Sequence, residues 1–293
     1  MFCSKYFMNI FIIGCQYTGL AAAKFWKSRG HFVTVTTTRE ARVAELSALF
    51  DKVIVMRGSD VETMQNVLPE QDAVLMSVAG GMIEKDGKVV MDADAYTDTY
   101  LGTAKNLVEA LKNSPSVRHI TFPSSTSAYG DGFGKDLVTE DDPTNPSSIF
   151  QSVYVDTEKV LLAAETETRK VCILRTGNIY GIGRELKNQA VAMSGKTIPL
   201  DGEAGAMIIH RDDVVRAADF ALEHNLSGIY NLVNDIHDSK SAFFGKICER
   251  ENLAPITWTP FGKGVKNASN LKIKSAGFTF ADSDASEENE NLI

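Results

Sequence analysis

The sequence predicts an α/β chain built on a doubly wound parallel sheet, with a smaller C-terminal region, and three observations carry that expectation. Short, continuous apolar runs recur through the first 175 residues, the pattern of strands buried on both faces. Segments of helical composition alternate with them. The first run, Ile10–Ile13, ends at Gly14 and passes through a short turn straight into an alanine-rich helix. With 44% hydrophobic and 23% charged residues in 293, the composition is that of a globular chain.

Each element follows in order. After Ile10–Ile13, Leu20–Arg29 has helical composition and stops at Gly30, and His31–Thr38 alternates as a second strand. Ala41–Phe50 reads as a helix, and Val53–Met56 and Ala73–Val78 as buried strands. Tyr96–Lys112 is predicted as one long helix, with Leu101, Ala104, Leu107, Val108 and Leu111 on a single stripe. His119–Phe122 is the fifth strand, Val153–Glu165 a helix and Val171–Leu174 the sixth strand. Beyond Arg175 the rhythm loosens into glycine-rich loops, with helices near Val214–Glu223 and Ala242–Arg250. The expected organisation is a dinucleotide-type core over 8–175, an interleaved substrate region over 176–280 and an acidic, disordered tail over 281–293.

Charge and cysteine usage narrow the function classes. Thirty Lys and Arg against 38 Asp and Glu leave a net charge of −8. Removing the five tail acids (Asp282, Asp284, Glu287, Glu288, Glu290) takes it to −3, so no basic face for nucleic acid is expected. Cys3, Cys15, Cys172 and Cys248 form neither a metal-binding spacing nor a disulfide framework, which points to a reducing compartment. The apolar N-terminus is broken by Lys5 and Asn9 and lacks a cleavage site, and Met8 serves equally well as a start. No apolar run reaches the roughly 18 residues of a membrane span. A cytoplasmic protein with a small-molecule substrate, no metal, and no nucleic-acid or membrane partner is expected, as monomer or homodimer.

The segment IFIIG-CQYTG-LAAAKFW places Gly14 and Gly19 five residues apart between a strand and a helix. That spacing suits a phosphate turn, where a helix N-terminus aims free N–H groups and a positive dipole end at a pyrophosphate. Gln16, Tyr17 and Thr18 complete the segment, with Gln16 where a glycine normally lets the ligand approach. A purely structural two-glycine turn is the alternative. The second strand ends in Thr36-Thr37-Thr38-Arg39, with no acid to accept ribose hydroxyls. Thr38 and Arg39 favour a 2′-phosphate instead, hence NADP(H) over NAD(H); Arg39 as a simple helix-end residue is the alternative. Asp60, in the RGSD segment after the third strand, is a candidate for an adenine amino group or a plain loop residue.

The segments HITFPSSTSAYGD (119–131), CILRTGNIYGIGR (172–184), MIIHRDDVVRAADFAL (207–222) and GIYNLVND (228–235) together resemble the NAD(P)-dependent epimerase/dehydratase group of extended short-chain dehydrogenases/reductases. The resemblance runs from Ile10 to about Phe280 and implies a Rossmann-type fold. It also implies an Asn–Ser–Tyr–Lys catalytic set, of which only the serine is present, as Ser125. Thr99 stands at the asparagine position, Phe150 at the tyrosine and Tyr154 at the lysine. Tyr154 with Lys159 is not an intact pair, because Lys159 is five residues on and off its helix face and Glu158 at i+4 carries the wrong charge to lower the tyrosine pKa. Tyr154 remains a catalytic candidate beside Ser125, supplying a proton by a different route, as does His210. Loss of the pair resembles the atypical, YeeZ-like reductases. The resemblance further implies Ser77, Val78 and Ala79 along the ribose, Gly177 and Ile179 along the nicotinamide, and Thr126, Asn178, Arg184 and His210 toward substrate. His210 has a structural alternative, bonding the loop before Asp212 and Asp213. The implied function is an atypical oxidoreductase or epimerase for a small polar or nucleotide-linked substrate. A non-catalytic dinucleotide-binding sensor or scaffold, and a structural partner with a vacant cleft closed by Gln16, are the alternatives.

Overall fold

The computed structural model describes residues 7–85, 87–260, 262–282, 285 and 293. Strand β1 (Asn9–Ile13) is buried from Ile10 onward. Gly14 turns the chain at φ +98°, and α1 (Tyr17–Ser28) folds back with Ala21, Ala22, Ala23 and Trp26 buried. The alanines keep that helix face flat, and the indole N–H of Trp26 is satisfied by Asp219 Oδ1 at 2.8 Å. The chain continues through β2 (Phe32–Thr37), α2 (Val43–Ser47), β3 (Lys52–Val55), α3 (Val61–Val67) and β4 (Ala73–Met76). An antiparallel hairpin follows, β5 (Met82–Lys85) and β6 (Lys88–Met91), then α4 (Ala93–Thr97) and α5 (Thr103–Ala110). After β7 (His119–Ser125), α6 (Ile149–Leu162) and β8 (Lys170–Thr176) come β9 (Asn178–Tyr180), α7 (Leu186–Met193), β10 (Thr197–Ile198), β11 (Ile208–His210) and α8 (Arg211–Glu223). The remaining elements are β12 (Gly228–Leu232), α9 (Lys240–Arg250), β13 (Thr257–Trp258) and α10 (Leu271–Ser275).

Seven strands form one parallel sheet in the order β3-β2-β1-β4-β7-β8-β12. Strand β1 pairs with β2 on one side and β4 on the other, so the winding reverses at β1. A crevice opens at such a switch point, outside the carboxyl ends of the strands. This is the doubly wound α/β fold expected from the sequence.

Two helices differ in make-up from the expectation, and α1, α6 and α8 each begin three or four residues earlier than expected. Ala41–Phe50 contains only the five-residue α2, preceded by a 3₁₀ turn at Glu40–Arg42. The long helix over 96–112 is interrupted by a π-helical turn at Asp98–Gly102. There the hydroxyls of Thr97 and Thr99 bond back to the carbonyls of Ala93 and Ala95, both at 2.8 Å, which loosens the regular ladder. Its stripe still holds: Ala104, Leu107 and Leu111 are buried.

The chain packs as two units. One comprises Met1–Pro123, Val153–Ile173 and Ala218–Gly228; the other comprises Ser124–Ser152, Leu174–Ala217 and Ile229–Ile293. Ser124–Ser152, which the sequence assigns to the first region, therefore packs with the second, and Ala218–Gly228 with the first. The second unit has its own cores, one around Tyr180, Ile208, Phe243 and Phe244 and another around Tyr129, Val138 and Val265. In that unit Asp213 accepts the N–H groups of Ala281 and Asp282, and Tyr180 donates its hydroxyl to Asp282. Those two residues of the expected acidic tail are thus tied down. Most of the tail beyond them, and Cys3, lie outside the described residues. No described helix is long and apolar enough to cross a membrane.

Candidate functional site

A cleft of ligand size lies in each unit. The first, about 600 Å³, lies at the switch point of the first unit. Its floor is the β1–α1 turn. Gly14 N–H donates to Thr36 Oγ1 at 2.8 Å, and Cys15 N–H to Thr36 O at 3.2 Å, so the end of β2 holds the turn in place. A Cβ on Gly14 would stand 2.5 Å from Ser77 O, and one on Gly19 would stand 2.1 Å from Gly14 O. Only glycine allows either approach. Gln16 precedes α1 without a side-chain cap, and the first turn of α1 carries no acid. The helix thus begins with unshielded N–H groups, as an anion site requires.

The walls bring together Gln16, Thr38, Arg39, Val78 and Ala79 from the expected set, and Thr99. Arg42 and Arg57 join them, neither of which the sequence reading singled out. Arg42 Nη1 donates to Cys15 O at 2.7 Å and so braces the turn. Arg57 follows β3 directly, where a strand's carboxyl end points at the crevice, a signal the sequence did carry. Cys15 sits behind the turn with its thiol pushed up to about 11 by burial, so it stays protonated near neutrality.

Several expected cofactor residues are placed elsewhere. Asp60 caps α3, accepting from Thr63 N–H at 3.1 Å and from the Thr63 hydroxyl at 2.7 Å, and does not line the cleft. Tyr17, Thr18 and Gly19 lie behind the turn in α1, and Ser77 contributes its carbonyl to the close approach on Gly14. Ile179 pairs with Ile209 in the small β9–β11 sheet and lines neither cleft.

The second cleft, about 690 Å³, lies within the second unit and gathers Ser125, Thr126, Gly177 and Asn178. Ser125 Oγ accepts from Ser127 N–H at 3.1 Å, which leaves its O–H to donate outward. Thr126 is committed to Thr176 O at 3.3 Å, and the amide nitrogen of Asn178 donates to Gln189 at 2.8 Å. Asn145, Gln151, Asp201, Lys240 and Lys263 are also among the lining residues. These were invisible in the sequence because segments far apart along the chain bring them together, Gln151 from α6, Lys240 from the start of α9 and the others from loops.

Three residues expected at the substrate or in catalysis line neither cleft. His210 is fully buried; its Nδ1 accepts from Asp212 N–H at 3.2 Å, and burial lowers its pKa, so it serves the loop before α8. Arg184 is exposed on the turn closed by its N–H to Gly181 O. Tyr154 packs in the first unit against Tyr96 and Tyr100, with ring centroids 6.0 Å and 5.2 Å away. Its pKa is strongly raised, first by burial and then by Tyr96, not by Glu158 as its position suggested. Among the described residues, no group of three His, Cys, Asp or Glu side chains is placed to hold a metal.

The model of the NAD-dependent epimerase/dehydratase family matches residues 10–233. The chain belongs to this family. Among solved structures it is similar to MoeE5 in complex with UDP-glucuronic acid and NAD, at 20% identity over 93% of both chains with a TM-score of 0.75. It is similar to UDP-glucose 4-epimerase from Thermotoga maritima at 20% identity over 94% of both chains, TM-score 0.74. It is also similar to UDP-N-acetylglucosamine 4-epimerase from Methanobrevibacter ruminantium, at 17% identity over 95% of this chain and 94% of that one, TM-score 0.74. At these identities the likeness concerns the fold. No curated protein matches the chain by sequence. The family's dinucleotide fits the first cleft by its donor set: a glycine cradle, an uncapped helix N-terminus and guanidinium groups at the far wall.

Proposed function

We propose that this family member binds NADP(H) in the first cleft and acts as an atypical oxidoreductase or epimerase on a small polar or nucleotide-linked substrate in the second. The carrying observation is the far wall of the first cleft. Thr38 and Arg39 follow β2 there with no carboxylate among them, and Arg57 joins from the loop after β3. A 2′-phosphate finds guanidinium partners on this wall; the one carboxylate in the described lining of the cleft, Asp98, comes from the π-helical turn and not from the residues after β2.

The dinucleotide, when bound, supplies reversible hydride exchange. The chain's own residues do the rest. The α1 N-terminus and the Gly14 turn hold the pyrophosphate, and Arg39 orients the 2′-phosphate end. Ser125 donates its hydroxyl proton to a substrate oxygen. The UDP-sugars and NAD bound by structural neighbours support a nucleotide-linked substrate.

One observation favours a second reading, a dinucleotide-binding protein without turnover. Phe150 carries no proton to exchange, and Tyr154 is held in a buried tyrosine cluster with its ionisation disfavoured. A general acid or base is worth about 10²–10⁴ in rate, so its loss is severe.

The test is a thermal-shift titration of the full chain with NADP⁺, NADPH, NAD⁺ and NADH. At 100 times its dissociation constant a ligand stabilises the native state by about 2.7 kcal/mol. A response confined to the phosphorylated pair supports the proposal, and hydride exchange from NADPH then separates turnover from binding alone. No response to any of the four leaves only the vacant-cleft reading and ends both others.

A further inference from the structure

Lys240 is the first residue of α9, and its surroundings fix where it stands. Its N–H donates to Ala204 O at 2.8 Å, and Ala206 N–H donates to Asp238 O at 2.9 Å. Ser239 caps the helix beside it, accepting from Ala242 N–H at 3.2 Å. These bonds set the half-buried lysine into the wall of the second cleft.

The charges around it are otherwise accounted for. Asp201 is the carboxylate that attracts Lys240, but Asp201 Oδ1 accepts from Glu203 N–H and Oδ2 from Gly264 N–H, both at 3.0 Å. Asp131 accepts from Asn145 Nδ2 at 2.7 Å and Phe133 N–H at 2.9 Å, and the nearby charge of Lys263 stabilises it further. Among the described residues the Lys240 ammonium has no hydrogen-bond or ion-pair partner. Burial disfavours its charge, lowering its pKa from the usual lysine value. A half-buried, unpaired ammonium in a concave wall lined with hydroxyls and amides is costly to the empty protein and is compensated when an anion arrives.

We propose that Lys240 anchors an oxyanion of the substrate, so that the second cleft takes a phosphate- or carboxylate-bearing molecule and discriminates against its neutral counterpart. The inference rests on reading the second cleft as the substrate site. It concerns a residue outside the dinucleotide cleft, so the two are tested separately.

The experiment titrates the full chain with glucose 1-phosphate, fructose 6-phosphate, glucuronate and glucose, following thermal stabilisation of wild type, Lys240→Met and Lys240→Arg. Saturable stabilisation of wild type by the phosphates or by glucuronate, and none by glucose, is expected; whichever arm responds identifies the oxyanion. Lys240→Met weakens that binding at least tenfold, Lys240→Arg restores most of it, and the NADPH response is the same in all three. If Lys240→Met does not fold, Lys240→Gln carries the comparison. Equal oxyanion affinity in wild type and the neutral variant overturns the proposal. So does the absence of any oxyanion response in wild type up to about 10 mM, the weak end of specific affinity. Failure of NADPH to bind, with the oxyanion response intact, counts against the dinucleotide assignment alone.

Discussion

Gly14→Ala probes the turn on which the first cleft is built. A Cβ there stands 2.5 Å from Ser77 O, 2.8 Å from Ser77 C and 2.9 Å from Val78 Cα. All three are main-chain atoms at the end of β4, a direct sheet neighbour of β1, so no rotamer change relieves the contact. The residue also sits at φ +98°, outside the range comfortable for an L side chain. Two control variants separate these costs. Gly228 has φ +89° with nothing within 4 Å, so Gly228→Ala incurs the conformational cost alone, about 1–2 kcal/mol. Gly19 lies within α1 with its Cβ position 2.1 Å from Gly14 O, so Gly19→Ala incurs overpacking alone, about 1–3 kcal/mol. Gly14→Ala combines both, about 2–5 kcal/mol. Urea melts of the three variants read these losses as midpoint shifts at constant slope. In an NADPH titration, Gly14→Ala should bind at least about tenfold more weakly, because the start of α1 moves with the turn. A loss no greater than that of Gly228→Ala would refute the packing of β1 against the end of β4.

Three further outcomes are expected. Arg39→Gln removes a charge-assisted contact worth about 1.5–3 kcal/mol, so NADPH affinity falls roughly 10–100-fold while NADH affinity holds; an equal fall for both dinucleotides assigns Arg39 no role at the 2′-phosphate. Asp60→Ala costs about 1 kcal/mol in a urea melt through loss of the α3 cap, with NADPH affinity unchanged; a weakened dinucleotide site would show that the carboxylate does more than cap. His119 is buried with its pKa lowered to about 4, its ring contacts being Leu226 O at 3.2 Å and the Thr121 hydroxyl at 3.3 Å. Because the unfolded chain takes up the proton first, stability falls as pH drops below 6.5 toward 4, by about 2 kcal/mol between about pH 8 and pH 5. His119→Gln should flatten that part of the profile, and an identical slope in both proteins rules His119 out as its source.

The winding of the sheet was legible because buried parallel strands carry a strong local signal: continuous runs such as Ile10–Ile13 and Ala73–Met76 need no partner to be recognised. The β5–β6 hairpin was not, since Glu84, Lys85, Gly87 and Lys88 read as a polar loop and its pairing adds no buried face. The break at Asp98–Gly102 was missed for a related reason. The apolar stripe continues through it, and hydroxyl back-bonding from Thr97 and Thr99 leaves no trace in periodicity.

The sequence by itself determined the alternation of strands and helices in the first part of the chain, the glycine turn after the first strand, the absence of an acid at the end of the second, and the family. Each is a property of neighbours along the chain, where backbone preference and apolar spacing act locally. Only the tertiary structure decided which side chains share a cleft. Asp60 turned to its own helix and His210 to its own loop, each accepting a hydrogen bond from a main-chain N–H two or three residues on. Arg42 and Lys240 came to the cleft walls through contacts with segments distant in sequence: Arg42 donates to Cys15 O, 27 residues away, and Ala204, 36 residues away, accepts the N–H of Lys240. Residues so separated meet only when packing closes the chain around them.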